Sequence, residues 1–205
     1  MIEYWAGSFV EKQARGKMIS EEEAAVYRYG YTLLAELGIN LILSVVIGAA
    51  AGQLLPLFFF LLIILPLRSY CGGYHADSFW RCTLLSGAVT ALALWAARRN
   101  LPGCTVPALA AAGIWIFLIL SLAPCPCEEK PLGPLESKKY RKIGRIFLAA
   151  EVFLEIIFWY SGQRLLFDLI WLAHGIVAIS LVMGHDKNRR RRKQNRVMNI
   201  QKDAR

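Results

Sequence analysis

Residues 54–97 read LLPLFFFLLIILPLRSYCGGYHADSFWRCTLLSGAVTALALWAA. Two apolar runs, Leu54–Leu67 and Phe79–Ala97, flank a short polar stretch that holds Arg68, the pair Gly72–Gly73, His75 and Asp77, with Arg81 just inside the second run. A helix needs about 20 apolar residues to cross a bilayer core. The order apolar, polar, apolar therefore predicts two membrane helices joined at the membrane edge. The first run is short for a full crossing and carries Pro56 and Pro66, so a kinked, tilted or partly inserted segment is expected there.

Four further apolar segments lie outside this stretch, at about Tyr31–Ala51, Cys104–Ala123, Ile143–Tyr160 and Leu165–Met183. The expected fold class is all-α: a polytopic membrane protein with about six hydrophobic helical segments and residues 68–82 at the cytoplasmic interface. Composition agrees, since 56% of the 205 residues are hydrophobic and mean hydropathy is +0.40. A soluble domain of this size does not need that much apolar sequence. The first thirty or so residues are polar and charged, without the apolar core of a secretory signal.

The net charge of +9 is unevenly distributed. With six crossings and both termini on one side, that side receives Lys12, Arg15, Lys17, Arg28, Arg68, Arg81, Lys130, the cluster Lys138–Arg145 and the basic tail from Lys187. The other side receives Arg98, Arg99 and Arg164. By the positive-inside rule the rich side is cytoplasmic. Five cysteines, an odd number, do not suggest a disulfide framework. In this topology Cys71, Cys82, Cys125 and Cys127 face the reducing side.

Three organisational units are expected. Residues 1–19 carry Ile2, Trp5, Phe9, Val10 and Met18 among basic residues, which fits either an amphipathic surface helix or a loosely ordered arm. Residues 20–185 form the membrane domain, opened by Ser20 and Glu23 at capping-box spacing. Residues 186–205 form a basic tail whose run Arg189–Lys193 suits anionic lipid better than nucleic acid. Residues 124–142 read as a polar loop, with prolines in the first half and basic residues in the second.

Cysteine chemistry needs a base or positive charge near the sulfur. Residues 68–82 are the one place in the chain where a histidine and a cysteine lie close together, and within it His75 and Cys82 are seven residues apart. Gly72 and Gly73 allow a tight turn or a close approach of another chain. Asp77 or Ser78 can cap the helix that continues through Phe79. Cys82 then sits in its first or second turn, where the helix N-terminus and Arg81 place positive charge beside the thiol. One straight helix through both residues would leave them about 10.5 Å apart along its axis. His75 is therefore expected in the turn before the helix, folded back toward Cys82. The residues alone leave two readings open: a catalytic pair, or an interfacial histidine and an inert buried thiol.

The pattern R-x-x-x-G-G-x-H-x-x-x-x-x-x-C, carried by Arg68, Gly72, Gly73, His75 and Cys82, resembles the signature of the accessory gene regulator B (AgrB) family. EEEAAVYRYG at 21–30 resembles that family's acidic approach to its first crossing, and APCPCEEKPL at 123–132 resembles its AP…KPL loop. The resemblance covers roughly residues 20–185. It implies a bacterial membrane cysteine endopeptidase that processes cyclic autoinducer peptides for quorum sensing, with His75 and Cys82 catalytic and Arg68, Gly72 and Gly73 supporting. Asp77 and Ser78 are candidates to orient His75.

The partner so implied is an AgrD-like propeptide with an acidic C-terminal tail, which Lys138, Lys139, Arg141 and Lys142 can attract. Membrane lipids are expected partners and a homodimer is a further expectation; no nucleic acid, metal or other cofactor is expected. A zinc site built on His75, Asp77 and Cys82 is the weaker alternative. Glu151, Glu155, Asp168 and His174 fall inside the last two segments, where ionisable groups face protein or water. They suit a polar seam that packs helices or guides peptide. The alternative function is a non-enzymatic small transporter or peptide-export partner.

The charge asymmetry carries a direct test. Both termini and residues 68–82 should face the cytoplasm of a bacterial cell membrane. Single cysteines placed at these positions should resist an impermeant thiol reagent added outside the cell, and strong external labelling at position 190 would contradict this topology.

Overall fold

Each segment expected to be apolar forms a helix. A computed structural model describes residues 2–16, 21–74, 76, 78–101, 105–126 and 133–203. Its helices run in the order α1 (Ile2–Arg15), α2 (Glu21–Ala50), α3 (Leu54–Cys71), α4 (Phe79–Arg98), α5 (Val106–Leu122), α6 (Pro134–Tyr160) and α7 (Arg164–Asp203). Ser20, Cys104, Cys127 and Lys130 lie outside the described residues, as do His75 and Asp77.

Local sequence accounts for several boundaries. The Thr105 hydroxyl accepts from the Ala108 N–H at 3.3 Å and starts α5. Pro134 opens α6, and Glu136 reaches back to the Gly133 N–H at 3.1 Å. These two signals move residues 134–142 out of the expected loop and into helix. The basic cluster Lys138, Lys139, Arg141 and Lys142 therefore lies on the first turns of α6. Helix α3 continues past Leu67 and Pro66 to Cys71, giving 18 residues. Helix α7 continues through the basic tail as 40 residues. Beyond Gly184 that tail is rich in Arg, Lys and Gln, which favour helix, and Asp186 pairs with Arg190 at 2.8 Å, one turn on.

Helix α1 folds back on α2. Phe9 meets the Tyr31 ring edge-on at 5.1 Å, Gln13 bonds the Tyr31 hydroxyl at 3.2 Å, and Val10 is buried beneath. Residues 2–15 are thus an ordered helix packed on its neighbour rather than a loose arm.

Helix α7 is the axle of the bundle and packs against α3, α4, α5 and α6. Leu169, Ile170 and Ala173 join Leu57, Phe60, Ala93 and Leu94 in one buried cluster. Val177, Ala178 and Leu181 join Leu67, Cys71, Ile119 and Leu148 in a second. The outside is also apolar: Leu34, Ile42, Phe58, Leu62, Leu84, Leu92, Phe117 and Phe153 are exposed. So much outward apolar surface has hydrocarbon as its natural solvent. Gly30–Ala50, Leu54–Cys71, Phe79–Arg98 and Arg164–Gln194 are long and apolar enough to cross a bilayer, and Val106–Leu122 is a shorter apolar helix. The protein is an all-α polytopic membrane protein.

Polar side chains inside this apolar frame meet across α6 and α7. His174 Nε2 lies 3.1 Å from Glu151 Oε2, and its Nδ1 lies 3.2 Å from Glu155 Oε2. Glu151 and Glu155 are 4% exposed, while Asp168 and His174 are fully buried. The expected seam is therefore a clamp between two helices. Removing the shared partner leaves two carboxyl groups in apolar surroundings. His174→Ala should lower stability by about 2–5 kcal/mol, read as a fall in the thermal unfolding midpoint in detergent. Glu155→Gln should cost less, because the hydrogen bond between the ring and Glu151 remains. Equal midpoints for wild type and His174→Ala would contradict the clamp.

Candidate functional site

The chain leaves the helix at the end of α3. Gly72 caps α3, and its N–H donates to the Arg68 carbonyl at 2.9 Å. Gly72 and Gly73 have φ of 72° and 133°, values that side-chain-bearing residues rarely adopt. A Cβ on Gly72 would strike the Cys125 backbone, and one on Gly73 would strike Arg68 and Ser180. The glycine pair thus serves both purposes expected of it, a turn and a close approach.

The loop is held on three sides. From below, the Arg68 guanidinium donates to the Gly72 carbonyl at 3.2 Å, and also to the Tyr74 carbonyl and the Ser180 hydroxyl. One planar fork thereby collects three acceptors, a task suited to arginine rather than lysine. From α7, the Ser180 carbonyl and hydroxyl both accept from the Tyr74 N–H at 2.9 Å. From the segment before α6, the Cys125 N–H donates to the Cys71 carbonyl at 2.9 Å, forming a one-residue parallel bridge with Gly72. That segment is itself tied to α7. Asn188 donates to the Pro126 carbonyl at 2.8 Å, and the His185 ring meets the Leu122 carbonyl at 2.9 Å.

Helix α4 begins at Phe79, after the loop. Ser78 occupies the capping position with extended backbone, but its hydroxyl makes no capping bond. Its carbonyl accepts from the Cys82 N–H at 3.0 Å, so Cys82 stands at the end of the first turn. Cys82 is half-buried with a free thiol, and Arg81 is exposed beside it. The expectation that one straight helix does not join residues 75 and 82 agrees with this start. How the His75 ring and the Asp77 carboxylate sit falls outside the described residues.

The basic cluster lies beside this assembly. Lys138, Arg141 and Lys142 line a shallow, open cleft of about 390 Å³ with Arg145, Ile146 and Ala149. Lys139 is not part of that lining. Arg141 and Arg145 also border a small recess floored by Cys71 and Gly144. Tyr70 of α3 packs on Tyr140 at 5.5 Å and stacks on Phe147 at 5.6 Å, both of α6. The cleft is thus joined to the end of α3 that carries the glycine pair.

Arg145 joins three of the four expected cleft residues. Ser180, Gly184 and Asn188 of α7 were not foreseen, although their i, i+4, i+8 spacing across the end of an apolar segment is visible in the sequence. Among the described residues, no group of three His, Cys, Asp or Glu side chains has the arrangement of a metal site.

A helical membrane protein with a clamped glycine loop before a cysteine-bearing helix is the class that fold and site define. Comparison with known sequences is more specific. The family model described as accessory gene regulator B matches residues 2–182. The chain belongs to that family, and so to the accessory gene regulator system. It is 26% identical over 177 residues to the putative AgrB-like protein 2 of Clostridium perfringens strain 13, covering 80% of this chain and 82% of that one. It is 25% identical over 192 residues to the putative AgrB-like protein of C. perfringens strain SM101, covering 90% and 87%. No solved structure matches the chain.

Proposed function

We propose that the protein is a membrane cysteine endopeptidase that cleaves an AgrD-like propeptide and closes the retained part into a ring. The observation that carries this reading is the clamped Arg68–Tyr74 loop, which delivers the chain to His75 just before the helix that presents Cys82. Family membership supports the same reading.

His75 takes the proton of the Cys82 thiol, and the sulfur attacks a peptide carbonyl of the propeptide. The C–N bond breaks, the imidazolium returns its proton to the departing amine, and the C-terminal fragment leaves. An acyl-thioester remains on Cys82. A thiol or hydroxyl within the retained peptide then attacks that carbonyl, giving a thiolactone or lactone. The ring-closing group yields its proton, and Cys82 is released as a thiol. A site poor in water favours ring closure over hydrolysis. Asp77 and Ser78 remain the candidates to orient His75.

The reading as a transporter or export partner would use the polar groups of α6 and α7 as a path. Glu151, Glu155 and His174 are instead committed to one another. Alkylation separates the two: it should end cleavage at Cys82, whereas transport through the later helices should survive it. Cys82→Ala and His75→Ala should each abolish propeptide cleavage in reconstituted membranes while the protein still inserts. Normal cleavage by Cys82→Ala would sink the peptidase reading. Loss of activity to a chelator would point to a zinc hydrolase instead.

In the same reading, the α6 cleft attracts the acidic tail of the propeptide. Single exposed pairs are weak, ~0–1 kcal/mol each, so one substitution should matter little. Replacing Lys138, Arg141, Lys142 and Arg145 together with Gln should raise KM about tenfold, near 1.4 kcal/mol. Lys139→Gln, off the cleft lining, should change little. The effect should shrink at high salt, where screening already weakens the wild-type attraction. A quadruple variant that keeps its preference for an acidic-tailed over a neutral-tailed propeptide would exclude this cleft as the capture site.

A further inference from the structure

The Gly72–Tyr74 segment is seated on one face of α7, and nothing so far gives that face a part in the reaction. We propose that Ser180 is a positioning residue for the catalytic segment and that Gly184 is the gap that lets the segment reach it. This inference rests on the peptidase reading and assigns α7 its role within it.

A serine hydroxyl offers two acceptor lone pairs and one proton. In Ser180 the oxygen takes an N–H of Arg68 and the N–H of Tyr74. The Ser180 carbonyl takes the same Tyr74 N–H at 2.9 Å. The hydroxyl thus ties together the two parts of the loop clamp, the guanidinium fork and the main chain. It does so at the last anchored residue before His75, since successive residues are about 3.8 Å apart along the chain. A displacement at Tyr74 passes directly to its neighbour. Misplacement by about 1 Å costs on the order of 10²-fold in rate where a nucleophile and base must meet.

Gly184 lies one turn along the same face. A Cβ there would sit 2.9 Å from the Gly73 carbonyl carbon, 3.0 Å from the Tyr74 nitrogen and 3.1 Å from Cys125 Sγ. Two of these neighbours are backbone atoms of the seated segment, so a methyl group there must push the segment off α7. The next residue on the face, Asn188, holds Pro126. The Cys125 N–H, next to it, donates to the Cys71 carbonyl and so closes the seat from the other side.

Removing only the Ser180 hydroxyl leaves the main-chain bond to Tyr74 in place, so Ser180→Ala loosens the seat without dismantling the fold. The test uses full-length protein in lipid nanodiscs with an acidic-tailed propeptide, and compares wild type, Ser180→Ala, Ser180→Thr, Gly184→Ala and Cys82→Ala. Ser180→Ala should lower kcat about tenfold or more, with KM changed less than about twofold and the thermal midpoint close to wild type. Ser180→Thr, which keeps the hydroxyl, should restore most of kcat. Gly184→Ala should lower kcat at least as far as Ser180→Ala.

Hydrogen exchange gives a second readout that does not depend on turnover: Ser180→Ala should speed exchange in a peptide covering residues 72–76. A wild-type kcat in Ser180→Ala overturns the proposal. So does a loss carried by KM, a loss that Ser180→Thr does not restore, or unchanged exchange at 72–76. Cleavage by Cys82→Ala is a different failure: it removes the peptidase reading itself, and with it Ser180 as a positioning residue for that chemistry, even if exchange still reports the seat.

Discussion

Where a chain leaves the helix against packed helices, each freed and buried backbone group needs a partner, because an unpaired one is costly. The passage from α3 to α4 depends on that constraint. Gly72, Gly73 and Tyr74 leave helical geometry beside buried helices; the N–H and carbonyl of Gly72 and of Tyr74 are met by Arg68 and Ser180, and Cys125 bridges the strand-like turn at Gly72. The partners come from three parts of the chain, so the loop exists only when α3, α7 and the segment before α6 are already together. The same dependence explains the glycines. Donors and acceptors at hydrogen-bond distance on both sides leave no room for a Cβ. A motif that looks local in sequence is a junction of distant pieces.

What the sequence made legible follows from which forces are local. Apolar runs show directly which segments are helical: Tyr31–Ala51 falls within a residue of Gly30–Ala50, the apolar part of α2, and Phe79–Ala97 within a residue of α4. The polar stretch containing Cys82 was visible because its residue types are rare inside an apolar chain. Helix-start signals were read less well. Pro134 and Glu136 open α6 inside a stretch whose prolines suggest a loop, so the basic cluster was expected on a loop and stands on a helix. Ser180, Gly184 and Asn188 were missed for a different reason. Serine and glycine are ordinary in membrane helices, and their part here depends on a loop more than a hundred residues earlier, which spacing within α7 cannot reveal.

Burial separates the polar groups of α7 into two kinds. His174 is wholly enclosed and closes on carboxylates of α6, whereas His185 and Asn188 are bonded to backbone carbonyls near the end of α5. The first kind holds helix to helix within the apolar zone. The second holds irregular backbone where the bundle meets water. Both lie on one continuous helix, so whatever fixes the rotation of α7 at one level fixes it at the other.

That coupling bears on how capture and cleavage are related in the proposed reading. Ser180 lies six residues beyond His174, about 9 Å along α7. A rotation of α7 by one residue, about 100°, would carry Ser180 away from Tyr74 and His174 away from Glu151. The two contacts therefore demand the same setting of the helix. Glu151 and Glu155 stand on α6, as do Arg141 and Arg145 of the basic cleft. The clamp sets α6 against α7, and so sets the cleft against the seat of the loop. A propeptide tail held at the cleft would then have its scissile bond at a fixed reach from Cys82. Loss of the clamp should impair both binding and turnover, whereas loss of the Ser180 hydroxyl acts on turnover alone.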